Sequence, residues 1–274
     1  MTKKIDNKNK EHPLVSIITA SYNSAKFIDQ TIESILAQTY TNWELLITDD
    51  CSTDNCIEII QKYVIQDKRI KLFRLKQNSG AGIARNNSIR EATGKYIAFC
   101  DSDDKWKPDK LEKQLSFMVS NGYAFTYTSY DVIDENNNTI GYVKCRPIFT
   151  YRSLLIDNGI GCLTSMYDQN IVGKMYMPSV RKRQDWGLWL RIIKKTKYAY
   201  GLQYSLSIYR NRDDSISSNK IALCKYNYLL YHKVENFSAL SSIYLLVFHF
   251  IPYYLYKKLK QKIIYSRILV NTPQ

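Results

Sequence analysis

"YIAFCDSDDKWKPDKL", from Tyr96 to Leu111, opens as a short apolar strand and then releases Asp101, Asp103 and Asp104 within four positions. Carboxylates this close repel one another and raise each other's pKa unless a cation stands among them. The chain as a whole carries a formal net charge of +14, so the acidic cluster runs against its composition. Two readings follow. A divalent metal is a hard cation that takes oxygen ligands; a turn whose aspartates cap the next helix needs no ligand at all. What stands at the ends of the other strands decides between them.

Working back from Tyr96, "LVSIITA" (Leu14–Ala20), "WELLIT" (Trp43–Thr48), "IKLFRL" (Ile70–Leu75) and "KYIAFC" (Lys95–Cys100) read as strands whose starts lie 29, 27 and 25 residues apart. Helical stretches separate them. In "AKFIDQTIESILAQ", Ile28, Ile32, Ile35 and Leu36 recur at helical spacing. "STDNCIEIIQKYV" opens on Ser52 and Thr53, good N-cap types, and "GAGIARNNSIREATGK" ends at Gly94, read as the residue that closes its helix. Strand–helix units at this spacing predict a parallel sheet covered on both faces. Ligands of such sheets bind at the carboxyl ends of the strands. "ASYN", "DDCSTD", "KQNSG" and "DSDD" are thereby predicted to meet at one edge.

Beyond Leu111 the pattern loosens. "KPDKLEKQLSFMVSN" predicts a helix with Pro108 at its start, and Asp104 is read as its cap. A strand, "YAFTYTSYD", and a hairpin around "DENNNTIGYV" follow. Tyr151 to Tyr176 reads as irregular, and "RKRQDWGLWLRIIKK" as a helix with Leu188, Ile192 and Lys195 on one face. Asn236 to Tyr256 is a 21-residue run without Asp, Glu, Lys or Arg, followed at once by "KKLKQK". That length suffices for a bilayer span, but Asn236, the serines, His249 and Pro252 shorten its apolar core. A helix lying on a membrane or packed on the domain is expected instead.

Composition excludes some classes. At 274 residues and 45% hydrophobic content the chain can bury a substantial core. Its six cysteines are scattered with no CxxC pair and there are three histidines. That argues against a Cys/His zinc site and for buried thiols in a reducing cytoplasm. "MTKKIDNKNKEHP" lacks the apolar run of a secretory signal and reads as a loose arm. The basic balance admits nucleic acid, an anionic membrane surface or a phosphorylated substrate as partner. Lys and Arg are dispersed rather than interleaved with aromatics on one face, so a basic nucleic-acid- or membrane-surface-binding module is the alternative, and no nucleic-acid partner is expected. A phosphotransferase of the haloacid-dehalogenase type fails on Lys105, which stands where that family needs Thr or Val, and on an acidic loop that follows the wrong strand.

The motifs "VSIITASYNSAKFIDQTIESILAQTYTNWELLITDDCSTD", "NSGAGIARNNSI", "GKYIAFCDSDDKWKPDKLEKQL" and "RQDWGLWLRI" together resemble a family 2 glycosyltransferase of the GT-A fold. The likeness runs from Leu14 to about Ile193. It is strongest to bacterial enzymes that build surface polysaccharides of the teichuronic-acid or capsule type. The resemblance implies an α/β fold, a Rossmann-like and mostly parallel central sheet with helices on both faces, plus a C-terminal helical extension. Residues 1–12 would be an arm, 13–215 the catalytic domain, and 216–274 a helical region associated with a membrane. The polymer-extruding synthases of the same broad family carry several long spans and a "QxxRW" motif, and neither is present.

The resemblance also implies the chemistry. A sugar would move from a nucleotide sugar, UDP-linked, to a hydroxyl of a lipid-linked or growing surface glycan, at the inner face of an anionic membrane. A divalent metal, Mn or Mg, would neutralise the departing diphosphate. Asp103 would contact the metal, with Asp101 and Ser102 nearer ribose and phosphates. Ala20 and Tyr22 would face the base, Asn23 would fix its turn by bonds to its own backbone, and Asp50 would accept from a uracil imide. Cys51 stands where relatives carry Gly. Arg85 would either meet diphosphate oxygens or hold Asp101 or Asp103 in an ion pair. Asp185 matches the aspartate that takes the acceptor's proton, although Gln184 replaces its usual acidic neighbour; the dull reading is that Asp185 caps its helix. Trp186 and Trp189 would line an acceptor site or pack in the core. Arg181, Lys182 and Arg183 would hold an acceptor pyrophosphate or form a solvated face.

Overall fold

The computed structural model describes residues 12–212, 220–257 and 259. The expected arm therefore lies outside the described residues but for His12, as does most of the basic run after Tyr256. The strand–helix units follow one another as their spacing predicts: β1 (Val15–Ser21), α1 (Ile28–Leu36), β2 (Trp43–Asp49), α2 (Cys56–Gln66), β3 (Ile70–Arg74), α3 (Ala81–Glu91) and β4 (Tyr96–Phe99). A two-residue strand β5 (Lys105–Trp106), α4 (Lys110–Asn121) and β6 (Phe125–Ile133) come next, then the predicted hairpin to β7 (Thr139–Val143).

After a short strand, β8 (Ile148–Thr150), the stretch read as irregular holds regular pieces: α5 (Tyr151–Ile156), β9 (Met166–Asp168) and α6 (Gln169–Val172). They are too short to show a period. β9 runs antiparallel between β4 and β6, a pairing that no local pattern encodes. α7 (Gln184–Thr196), β10 (Tyr198–Arg210), α8 (Lys220–Leu229) and α9 (Ala239–Tyr244) complete the order. α9 opens a helix that continues to Lys257.

The sheet runs β3-β2-β1-β4-β9-β6-β10-β5. β3, β2, β1 and β4 are parallel, β9 opposes them, and β6 and β10 resume their direction. Because side chains alternate along a strand, Ile18, Leu46 and Phe99 join one core, while Ile17, Leu45 and Ala98 join the other. α1, α2 and α4 close the second core through Ile32, Ile60 and Leu115. α3 and α7 close the first through Ile89, Trp186 and Trp189. Burial on both faces is what makes "WELLITD" a strand without polar alternation.

Two local expectations are corrected. Gly94 does not close α3: the helix ends at Ala92 in extended backbone. Glycine is required at position 94 because a Cβ there would sit 2.6 Å from the Leu14 carbonyl oxygen and 2.7 Å from the Ser16 nitrogen. Nor do Ser52 and Thr53 cap α2. Its N-cap is Asn55, and the Cys56 N–H is met by the Asp54 carboxylate at 3.2 Å.

The C-terminal helices pack back on the first core. Tyr231 and Phe250 meet the Trp186 ring with centroids 6.0 Å away in each case, and the Tyr231 hydroxyl donates to the Leu155 carbonyl at 2.6 Å. Lys194 pairs with Glu235 at 2.7 Å and Lys257 with Asp157 at 3.0 Å.

Beneath the β4–β5 loop lies a lysine without exposure. Lys110 donates to Gln114 Oε1 at 2.9 Å and rests 3.8 Å from the Trp106 ring centroid. Burial pushes its pKa down from 10.5 to about 7. Below that value both folded and unfolded chains hold the proton. Between about 7 and 10.5 only the unfolded chain does, so folding stability rises with pH across that window. Lys110→Met removes the dependence. Urea unfolding is expected to find the variant more stable near pH 6, on the order of 2 kcal/mol, with the advantage shrinking toward pH 9. A difference independent of pH contradicts this.

Candidate active site

The first loop at the carboxyl edge is set by register. β1 pairs with β2 so that Ala20 faces Thr48 and Ser21 faces Asp49. Their loops therefore leave the sheet side by side. Asn23 takes a left-handed φ of 46° and does not bond its own backbone as expected. Its Oδ1 accepts from the Thr53 N–H at 2.8 Å, and its own N–H donates to Ser52 Oγ at 3.0 Å. The neighbouring loop is close enough to compete for the side chain, and Tyr22 beside it is left 48% exposed. Cys51 holds a left-handed φ of 63°, so the turn keeps the glycine-like backbone and carries the strain of a Cβ there.

Asp50 is buried, and its two oxygens accept from the Ser79 and Gly80 N–H groups at 2.7 Å each. It thus ties the β2 loop to the loop that starts α3. Each oxygen keeps a second lone-pair direction for a ligand.

In the acidic loop the three carboxylates part company. Asp101 pairs with Arg85, through Nη2 and through Nε at 3.2 Å. Asp103 pairs with Arg212, Oδ2 to Nη1 at 3.2 Å. Asp104 turns inward, almost fully buried, and accepts from the Arg210 backbone N–H at 2.9 Å. The expectation that Asp104 caps α4 is therefore wrong. The N-cap is Asp109, which makes no capping bond, because the β5 strand separates Asp104 from the helix. Burial, then Asp101, pushes the Asp103 carboxyl up, with Arg212 opposing. Burial, then Asp103 and Asp101, pushes Asp104 well up.

Arg210 holds the loop in place. Its guanidinium is buried and donates to the Asp103 carbonyl at 2.9 Å, to Asn137 Oδ1 at 3.1 Å and to Gln30 Oε1 at 2.9 Å. One side chain from the end of β10 so connects the acidic loop, the β6–β7 hairpin and α1. Neither Arg210 nor Arg212 was singled out from the sequence. The signal was two arginines just after a strand, "YRNR", and only the β10–β6 and β10–β5 pairings bring that strand end to the acidic loop.

Arg85 projects from the first half of α3. Burial would lower its pKa, but the charge of Asp101 and its hydrogen bond outweigh this and push it up. Asp185 stands on another element. It sits half-buried in the first turn of α7, whose N-cap, Arg183 with φ 66°, makes no side-chain capping bond. Asp185 is not a cap. The α7 start is seated on α3 by Gln184, whose amide lies where a Cβ on Gly82 would come within 2.6 Å. Next to this contact Asn78, Gly80, Ile83, Arg181 and Gln184 help line a cavity of about 280 Å³.

Other expected site residues go elsewhere. Trp186 and Trp189 are both fully buried, and the Trp186 indole donates to the Leu154 carbonyl at 2.7 Å. Both are core residues: Trp189 packs on Phe99 and Phe125 of the sheet, and Trp186 on Tyr231 and Phe250 of the C-terminal helices. Arg183 is drawn to Asn227 at 3.1 Å and lies against Trp186, while Lys182 lies 5.6 Å from the Tyr226 ring. Arg181 is exposed at the cavity.

Among the described residues no cluster of three or more His, Cys, Asp or Glu could enclose a metal. With Asp104 turned away, Asp101 and Asp103 are the available pair. That donor set fits an ion held by one or two carboxylates and completed by substrate phosphates and water, the habit of Mg²⁺. It does not fit an all-protein cage.

The pattern defining Glycosyl transferase family 2 matches residues 16–169. The chain is 42% identical over 236 residues to a Bacillus subtilis (strain 168) protein named for teichuronic acid biosynthesis, the glycosyltransferase TuaG, covering 86% of this chain and 94% of that one. It is also 42% identical over 236 residues to the Escherichia coli UDP-Glc:alpha-D-GlcNAc-diphosphoundecaprenol beta-1,3-glucosyltransferase WfgD, covering 85% and 91%. In structure it is similar to S. aureus TarS 1-349 in complex with UDP-GlcNAc, with TM-score 0.65, 19% identity, and coverage of 85% and 70%. It is similar too to the Pyrobaculum calidifontis mannosyltransferase PcManGT with GDP-Man and Mn²⁺, with TM-score 0.65, 15% identity, and coverage of 86% and 70%. These two likenesses concern the fold, which is GT-A.

Proposed function

The chain belongs to glycosyl transferase family 2, and we propose from that premise that it is a metal-dependent inverting enzyme using a UDP-linked sugar. The acceptor is a hydroxyl of a lipid-linked or growing surface glycan. One observation carries this reading: α3 meets the acidic loop through the Arg85–Asp101 ion pair and meets the start of α7 where Gln184, next to Asp185, packs on Gly82. A donor diphosphate at the loop and an acceptor hydroxyl at Asp185 would then meet in one place. The names of the relatives, a UDP-Glc-dependent enzyme acting on a lipid diphosphate and one of teichuronic acid biosynthesis, support the donor and acceptor classes.

In this mechanism Ala20 and Tyr22 hold the base and Asp50 accepts from its imide. Asp101 and Ser102 face ribose and phosphates, and Arg85 meets the diphosphate. Asp103, assisted by Asp101, would hold Mn²⁺ or Mg²⁺, which when bound serves as Lewis acid to the departing diphosphate. Asp185 takes the proton from the acceptor hydroxyl as its oxygen bonds to the anomeric carbon. The bond from that carbon to the diphosphate oxygen breaks, and both electrons leave with the UDP. Attack opposite the leaving group inverts the anomeric centre.

We further propose that the enzyme works at the inner face of the membrane and touches it through the helix Ala239–Lys257. That helix is the one among the described residues long and apolar enough to cross a bilayer by length and composition. One side of it, with Ser242 and Phe250, is buried on the domain. The other leaves Leu240 81% and Phe248 64% exposed, an apolar stripe suited to an interface rather than to a span.

Transfer is measured with UDP-glucose and a short-chain GlcNAc-diphospholipid. Asp185→Asn is expected to lower turnover by about 10²–10⁴-fold while keeping the thermal shift given by UDP with Mn²⁺. Asp103→Ala should lose the metal-dependent part of that shift. Full activity in either variant refutes the assignment. For the membrane, sedimentation with anionic vesicles should retain the parent chain. Leu240→Asp with Phe248→Asp should cut retention at least about tenfold and leave the melting temperature in place. Equal retention contradicts docking by this helix.

A further inference from the structure

Arg183 and Asn227 are a pair of donors that the chain itself does not satisfy. Arg183 is the N-cap of α7, held in left-handed backbone at φ 66°. Its Nε donates to Asn227 Oδ1 at 3.1 Å, and its guanidinium carbon lies 5.6 Å from the Trp186 ring centroid. Those two contacts orient the guanidinium. Its two terminal amino groups have no acceptor among the described residues, and no carboxylate there stands within ion-pair distance of it. Asn227 is in the same state: it is fully buried, and its Nδ2 has no acceptor.

A half-buried cation without a counter-ion and a buried amide without an acceptor are both unfavourable. Burial lowers the Arg183 pKa, with the Asp185 charge opposing. One kind of ligand answers both donors: an anion with several oxygens, which a planar guanidinium meets through paired N–H groups. The place in the fold selects among such anions. Arg183 stands two residues before Asp185, within one turn of the helix. The ring it rests on, Trp186, packs in turn on Phe250 of the helix Ala239–Lys257, whose other side is apolar and exposed. The Arg85–Asp101 pair belongs to other elements, α3 and the acidic loop.

We propose that Arg183, oriented by Asn227, binds the diphosphate of a lipid-linked acceptor, with the lipid leading toward the C-terminal helix and the sugar toward Asp185. This rests on the acceptor reading above and narrows it. The hydroxyl attacked belongs to a sugar close to the lipid diphosphate rather than to the far end of a long glycan.

Calorimetry on the full chain tests this, with UDP and Mn²⁺ at saturation so that an empty donor site cannot account for the signal. Geranyl diphosphate is the probe and geraniol its uncharged control. The parent should bind the diphosphate, and Arg183→Asn should bind it at least about tenfold more weakly. Asparagine tolerates left-handed backbone, so this variant is expected to keep the fold. Arg183→Lys keeps the charge without the fork and should fall between the two. The geraniol signal and the affinity for UDP should be the same in all three. In the transfer assay Arg183→Asn should raise KM for the GlcNAc-diphospholipid by a like factor and leave KM for UDP-glucose in place. Equal binding of geranyl diphosphate by the parent and Arg183→Asn overturns the proposal. A matching loss of UDP affinity overturns it too, by assigning the arginine to the donor, and a matching loss of geraniol binding does so by making its role structural. Lost retention on anionic vesicles with geranyl diphosphate binding intact would make Arg183 a contact for lipid headgroups, which also overturns it. A parent that transfers glucose without binding geranyl diphosphate refutes this site alone. A parent that neither binds UDP nor transfers glucose refutes the functional reading, and the site with it.

Discussion

Three carboxylates at the end of β4 repel one another, and much of the surrounding structure is arranged so that they can coexist. Asp101 and Asp103 each face a guanidinium, while Asp104 is drawn inward by a backbone N–H of Arg210. Arg210 then bonds across to the hairpin and to α1, which fixes the loop that carries the charges. The cations come from α3 on one side and from the end of β10 on the other. A loop of this charge is stable where it stands only because elements far apart in the chain converge on it.

The rest of the site follows from the sheet. Parallel register sets the β1 and β2 loops side by side, Asn23 laces them together, and Asp50 joins the second loop to the start of α3. Gln184 seats α7 against Gly82, which brings the helix that carries Asp185 onto the helix that carries Arg85. Next to that aspartate, Gln184 is a neutral wedge. Its work here is packing, and Asp185 stands without a cap to make.

The strands of the first half were legible because both of their faces are buried and their helices keep a 3.6-residue period. So was the convergence of the loops at their ends, which bond to one another through Asn23 and Asp50, with Arg85 meeting Asp101. What failed to show was non-local. Asp104 looks like a cap in sequence and becomes buried because β10 arrives beside it. Gly94 looks like a helix end and is required by the approach of β1. Trp186 and Trp189 are equally plausible at a site or in a core until the pitch of α7 is known. Arg210 ends, and Arg212 follows, a strand that pairs in parallel with one more than 70 residues earlier, and composition gives no hint of that. The C-terminal run read as apolar and uncharged. Its division into a packed side and an exposed side needed the positions of Trp186 and Asp157.

The most direct measurement is a crystal structure of the chain with UDP and Mn²⁺, with the metal located by its anomalous scattering. The account predicts the manganese peak on the Asp103 carboxylate and the diphosphate, uracil against Tyr22, and Asp185 open to the site. A nucleotide seated away from the strand ends, or a metal away from Asp103, would contradict it.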